Sequence, residues 1–155
     1  MTRNAQETLE LGKVLGSLFD SGDVAGLSGP LGAGKTVLAK GIGAGLGVKE
    51  EVLSPSFNIV LEYRGRVLYR HVDFYRLRSE TEVSDMGMEE YIGANSVTVI
   101  EWAEKFPAML PAEHLKIEIS FLWENERKIS FKPYGKRFEK IVIDLIRRKW
   151  EVDEF

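Results

Sequence analysis

The stretch Gly29-Pro30-Leu31-Gly32-Ala33-Gly34-Lys35-Thr36 matches the pattern G-x-x-x-x-G-K-[ST] in full, and no other segment constrains the fold as tightly. That pattern is useful only where a strand hands the chain to a helix. Val24-Ala25-Gly26-Leu27-Ser28 before it reads as a buried strand, and the run from Thr36 to Ile42 reads as the helix. Glycines let the backbone curl until successive N–H groups point inward, Lys35 supplies a cation for outer phosphates, and the Thr36 hydroxyl is a ligand type that suits Mg²⁺. Gly29, Leu31, Gly32, Ala33, Gly34, Lys35 and Thr36 are therefore the candidate nucleotide-binding residues.

The 155 residues suit a single domain, 1–155, of soluble globular composition, with 44% apolar and 29% charged residues. Cysteine is missing, which excludes disulfides and thiolate metal sites. The beginning of the chain lacks a cationic segment feeding an apolar core, and no apolar run approaches membrane-spanning length, so a cytoplasmic protein without a membrane partner is expected. A net charge of −3 argues against a broad electrostatic grip on nucleic acid, so any RNA connection is expected to be indirect. The basic clusters Lys132 to Lys140 and Arg147-Arg148-Lys149 read as solvated faces.

Along the chain, Asn4 to Phe19 places Leu11, Val14, Leu15 and Leu18 on one face, with Asn4 and Glu7 in capping-box positions. The helix after the glycine-rich loop is expected to stop at Gly45-Leu46-Gly47, and Lys49 to Ser54 to form a loop. Phe57 to Tyr63 and Val67 to Val72 are β-favouring runs joined by Arg64-Gly65-Arg66, a hairpin signal. Short helical pieces are expected around Gly87. Val97 to Ile100 reads as a buried strand, Leu115 to Phe121 with Lys128 to Phe131 as a second hairpin, and Lys136 to Trp150 as a packed helix through Phe138, Ile141, Val142, Leu145 and Ile146. The sum is an α/β fold with a mixed sheet flanked by helices.

Three acceptors and one cation carry the expected chemistry. Glu101 ends the Val97–Ile100 strand, where proteins with this loop place an acid that holds Mg²⁺, so Thr36 and Glu101 are the candidate metal ligands. Asp73 ends the preceding β run and could either ligate Mg²⁺ through water or orient an attacking water, which makes Lys35, Asp73 and Glu101 the candidate catalytic set. His71 lies on the same side of its strand as Asp73; it reads first as a packed histidine with a satisfied hydrogen bond, and only second as a base. Ser54-Pro55-Ser56-Phe57 reads equally as a nucleotide-sensitive segment or a plain Ser-Pro turn, and Trp102 as a stacking surface or as core. The chain has no Asn-Lys-x-Asp element, which favours adenine over guanine; Asn4, Thr8 and Arg127 are candidates to hold it. Zinc spacing and a Gly-x-Ser-x-Gly elbow are both missing.

Gly-Pro-Leu-Gly-Ala-Gly-Lys-Thr, Ser-Pro-Ser-Phe-Asn-Ile-Val, His-Val-Asp-Phe-Tyr-Arg-Leu, Met-Gly-Met-Glu-Glu-Tyr and Val-Ile-Glu-Trp-Ala-Glu, in that order, resemble the bacterial TsaE (YjeE) family from the first helix through Glu104. After Leu110 the resemblance is weak. It implies a P-loop NTPase-type α/β domain with a mixed sheet, and an ATPase using ATP and Mg²⁺ in formation of the threonylcarbamoyl group on adenosine 37 of tRNAs reading ANN codons. It also implies TsaD-like and TsaB-like partners, with the transfer chemistry in TsaD and hydrolysis resetting the assembly. By matching motifs, Thr36 and Glu101 would hold Mg²⁺, Lys35 and the loop amides the phosphates, and Asp73 would support hydrolysis. Ser54 to Phe57 would be the nucleotide-sensitive segment, and Trp102 would lie near the site or the partner surface. Pro30 stands where the family often has Asp, and Ser56 where it often has Thr; Pro30 removes one N–H from the first turn of the loop.

Two other readings use the same residues. A small-molecule kinase would share the loop and draw an arginine-bearing lid from Arg64, Arg66, Arg70, Arg76 and Arg78. A nucleotide-gated binding module would use ATP only to order Ser54 to Phe57 for docking.

Overall fold

The computed structural model describes residues 1–55, 58–148 and 150, together with a short strand at 153–154. Helix α1 (Ala5–Leu18) is opened by the Asn4 side chain, which accepts the Glu7 N–H at 2.9 Å, while the Glu7 carboxylate reaches back to the Arg3 N–H at 2.8 Å. Strand β1 (Val24–Ser28) is buried along its whole length and feeds the glycine-rich loop, which leads into α2 (Lys35–Gly45). Then follow β2 (Val60–Arg64), β3 (Leu68–Asp73), the short helices α3 (Glu80–Asp85) and α4 (Met88–Tyr91), and β4 (Ser96–Glu101). The chain closes with β5 (His114–Phe121), β6 (Arg127–Tyr134), α5 (Lys136–Arg147) and β7 (Asp153–Glu154).

The strands form one mixed sheet in the order β2-β3-β4-β1-β5-β6-β7. Its centre, β3-β4-β1-β5, is parallel, and antiparallel pairing adds β2 to β3 and β6 to β5. Every residue of β1 and β4 is buried, because both faces of a parallel sheet are covered; the buried hydroxyls of Ser96 and Thr98 in β4 hydrogen-bond each other. On one face Leu11, Leu15, Leu38, Ile42, Phe138, Ile141 and Leu145 pack on Leu27, Val99 and Ile117. On the other, Phe74, Leu77, Val83, Met88 and Phe106 pack on Val72 and Ile100.

Helices α1 and α2 touch backbone to backbone through Gly12, Gly16, Gly41 and Gly45. A Cβ on Gly12 would lie 2.8 Å from the Gly41 Cα, and one on Gly45 would run into the Lys13 carbonyl oxygen. This close approach fixes α2, and with it the loop at the N-terminus of α2, against the rest of the molecule.

Three expectations shift. The first β run is expected from Phe57, but β2 starts at Val60: Ile59 has φ 64°, a left-handed conformation that a strand cannot include, and its N–H closes a turn on the Pro55 carbonyl at 2.7 Å. Phe57 itself lies outside the described residues. The last helix stops at Arg147 rather than Trp150, with the Arg148 N–H folding back to the carbonyls of Asp144 and Leu145. Ile146, expected in the packed face, is 48% exposed because it falls one helical step beyond Leu145.

Candidate functional site

The parallel strands all end at one edge, and their last residues build the site. Register places Asp73 beside Glu101 and Glu101 beside Leu27, one residue before the chain leaves β1 for the glycine-rich loop. The loop turns back into α2 at Gly34, whose φ of 107° is open to glycine and strained for other residues. Together these segments line a cleft of about 460 Å³ with Leu31, Gly32, Gly34, Lys35, Thr36, Val37, Ser54, Asp73, Tyr75, Arg76, Glu101 and Trp102 on its walls. That volume suits a bound small molecule.

The Thr36 hydroxyl donates to Glu101 Oε1 at 2.9 Å, and Glu101 Oε2 lies 2.6 Å from His71 Nε2. Lys35 folds over its own loop, donating from Nζ to the carbonyls of Gly29 at 2.6 Å and Pro30 at 2.9 Å. Its ammonium lies 4.1 Å from the centroid of the Trp102 ring. Burial lowers the Lys35 pKa from 10.5, against the opposing pull of Glu104, Glu101 and Asp73. Asp73 is 7% exposed and accepts the Tyr75 N–H at 2.8 Å. Burial raises its pKa above 3.8, outweighing the Tyr75 hydrogen bond; the Glu101 charge pushes the same way, and His71 and Lys35 pull back. Trp102 sits at φ 59°, ψ 36°, an uncommon conformation for a large side chain, and its ring tilts against Tyr75 with centroids 4.9 Å apart.

A hard divalent cation takes oxygen donors and keeps part of its shell for water and substrate oxygens. The touching Thr36 hydroxyl and Glu101 carboxylate, with the buried Asp73 carboxylate at the same edge, are such a donor set. Among the described residues no group of three or more His, Cys, Asp or Glu is placed to hold a metal ion by itself. The Thr36 and Glu101 oxygens are of the donor type that suits magnesium.

Of the residues singled out in the sequence, Leu31, Gly32, Gly34, Lys35, Thr36, Asp73, Glu101, Trp102 and Ser54 meet in this cleft. Gly29 stands behind it, with its N–H donated to Glu104 Oε2 at 3.0 Å. Ala33 lines a neighbouring cleft of about 210 Å³ together with Thr8 and Arg127, and its carbonyl accepts from Arg127 Nε at 3.0 Å. Asn4 does not line that cleft; its side chain is the α1 cap. Ser56 and Phe57 lie outside the described residues. His71 is fully buried with both ring nitrogens engaged, the packed arrangement expected of it first.

Among the five arginines considered for a lid, Arg76 lines the cleft. Arg66 donates to the carbonyls of Gly16 and Phe19, and Arg70 to Glu62, Tyr91 and Ala94, all away from it. Sequence reasoning singled out Arg76 only as a possible lid residue, and missed Val37 and Tyr75 on the cleft wall and Glu104 behind the loop. The only local signal was a second acid three positions past Glu101 and an aromatic-basic pair directly after Asp73-Phe74.

Residues 2–129 match the family model described as "Threonylcarbamoyl adenosine biosynthesis protein TsaE". The chain is similar to the tRNA threonylcarbamoyladenosine biosynthesis protein TsaE of Bacillus subtilis, 40% identical over 147 residues that cover 94% of this chain and 92% of the relative. The protein of the same name from Treponema pallidum is 39% identical over 130 residues, covering 84% and 96%. Among solved structures, the crystal structure of Bacillus subtilis YdiB superposes with a TM-score of 0.83 at 35% identity, covering 96% of this chain and 93% of that one.

Proposed function

The chain belongs to the TsaE family of threonylcarbamoyl adenosine biosynthesis proteins, and from that membership we propose that it serves tRNA threonylcarbamoyladenosine formation as a Mg²⁺-dependent ATPase. One observation carries the ATPase reading. The Thr36 hydroxyl and the Glu101 carboxylate, far apart in sequence, meet at 2.9 Å in the cleft that also holds the Lys35 ammonium and the Asp73 carboxylate.

In this reading the loop amides and Lys35 bind the phosphates, and ATP draws the ammonium away from the Gly29 and Pro30 carbonyls it now contacts. Thr36 and Glu101 hold Mg²⁺, which when bound neutralises charge on the phosphate oxygens. Asp73 accepts a hydrogen bond from water and aims its oxygen at the γ-phosphorus. A P–O bond to that water forms, the bond to the β–γ bridging oxygen breaks, and the water proton passes by way of Asp73 to solvent, leaving ADP and inorganic phosphate. Burial of Lys35 and Asp73 strengthens these charge interactions relative to water.

The partners in this reading are TsaD-like and TsaB-like proteins in the cytoplasm, with hydrolysis resetting their assembly and tRNA reached through it. No helix among the described residues is long and apolar enough to cross a membrane. The deciding experiment follows the γ-phosphate of labelled ATP with the purified chain, alone and with TsaD-like and TsaB-like proteins. Release as inorganic phosphate, faster with the partners, is the expected result. Transfer to a metabolite would establish a kinase, and no turnover with the partners present would overturn the ATPase reading.

A further inference from the structure

His71 has no part in the steps above, yet it is fully buried against Glu101 on the cleft wall and touches two elements that the reaction would have to coordinate. Its Nε2 lies 2.6 Å from Glu101 Oε2, the oxygen of that carboxylate not engaged by Thr36. Its Nδ1 lies 3.2 Å from the carbonyl oxygen of Leu53, and Leu53 is followed directly by Ser54 on the cleft wall. A carbonyl has only lone pairs, so the Nδ1 hydrogen points at it.

The ring is held flat for this task. It stacks on Tyr69 with an interplanar angle of 5° and centroids 6.3 Å apart, and the Tyr69 hydroxyl donates to the Ala39 carbonyl in α2 at 2.7 Å. Leu53 is gripped a second time, because its N–H donates to the Tyr63 hydroxyl at 3.0 Å. A rigid imidazole with oxygen partners at both ends transmits displacement: the loop at Leu53 cannot shift without pulling on Glu101, and Glu101 cannot reorient without pulling on the loop.

We propose that His71 is a positioning residue that couples the Leu53–Ser54 backbone to the magnesium-side carboxylate of Glu101, so that occupation of the metal-nucleotide site is felt in that loop. The inference rests on the MgATP reading of the cleft. It assigns His71 no contact with substrate and no proton transfer to it.

Two substitutions separate the arms. His71→Gln places an amide N–H where Nε2 was and abandons Leu53; His71→Asn reaches toward Leu53 and abandons Glu101. The Mg²⁺ concentration for half-maximal hydrolysis is expected to rise about tenfold in His71→Asn, the usual scale for losing a partner of a metal ligand, and to stay near wild type in His71→Gln. Hydrogen exchange at the Leu53 amide is expected to respond to MgATP in the wild type and in neither variant. A wild-type exchange response in either variant would overturn the coupling, as would equal Mg²⁺ requirements in all three proteins.

Nitrogen NMR of the unmutated protein gives a test that survives misfolding of the variants, since the chain has 2 histidines to assign. MgATP is expected to move both the Nε2 and Nδ1 signals of His71 while leaving His114, stacked on Tyr134, in place. Movement of Nε2 alone, or of neither, contradicts the coupling. Calorimetry on the same sample keeps the two proposals apart: no heat with MgATP removes the ATPase reading, whereas heat without a response at Nδ1 removes only the role of His71.

Discussion

The Lys35 ammonium rests 4.1 Å from the centroid of the Trp102 ring, so the cation at the start of α2 is steered by the residue that follows β4. Trp102 adopts φ 59° to bring its ring there, a conformation that costs energy for any residue with a Cβ and is found where the surrounding structure demands it. Replacing the indole by Leu keeps apolar volume and removes the aromatic face. Trp102→Leu is expected to raise the KM for ATP about fivefold, equivalent to the ~1 kcal/mol of a cation–π contact. An unchanged KM in steady-state hydrolysis would show that the ring does not guide the lysine.

Lys35→Ala removes the charge, and nucleotide binding or turnover is expected to be lost. Glu101→Gln is subtler, because the amide oxygen still accepts the Thr36 hydroxyl while the charge disappears. Its Mg²⁺ requirement is expected to rise by at least about tenfold, a difference of ~1.4 kcal/mol. Wild-type hydrolysis rates in both variants would remove the site.

Asp73 links function to pH. Its pKa is raised above 3.8, chiefly by burial, so the folded state holds this proton more tightly than the unfolded chain does. Ionising it therefore costs stability; the cost is absent below 3.8 and is fully felt once pH passes the raised value. Asp73→Asn retains an acceptor for the Tyr75 N–H and is never charged. In metal-free buffer at neutral pH the variant is expected to be more stable than wild type by about 1 kcal/mol, with the difference vanishing in acid. Hydrolysis is expected to fall by about a hundredfold or more, the scale for losing a positioned acid–base group. Parallel melting curves from acid to neutral pH, together with the hydrolysis assay, check both halves.

The glycine seam between α1 and α2 sets a different test. Gly45→Ala would ordinarily strengthen a helix by ~1 kcal/mol. Here the new methyl meets the Lys13 carbonyl and the Gly16 Cα, backbone atoms that cannot move aside cheaply, and overpacking of this kind costs about 1–3 kcal/mol. The melting temperature of Gly45→Ala is expected to fall; a rise would mean that the helices separate freely.

What the sequence made legible is what local pattern encodes. The apolar strand, the loop and the helix after it are contiguous, so β1, Gly29–Thr36 and α2 could be read directly, and Glu101 followed from being the acid at the end of a second apolar run. The start of β2 could not be read, because nothing around Ile59 announces a residue with φ 64°. Gly12, Gly16 and Gly41 go unread in the sequence, because pairing them with Gly45 requires knowing that α1 lies on α2. His71 shows the same limit: strand alternation places it on the side of Asp73, whereas its bonds to Glu101 and Leu53 depend on the register of β3 against β4 and on the path of a loop.

If the Gly29–Thr36 loop and Glu101 form one MgATP site, titration calorimetry of the intact chain with ATP, in the presence and absence of Mg²⁺, will register it. The expected result is saturable heat with MgATP that weakens when the metal is withheld and disappears in Lys35→Ala. Equal heats for wild type and Lys35→Ala, or none from the folded wild-type chain, would contradict it.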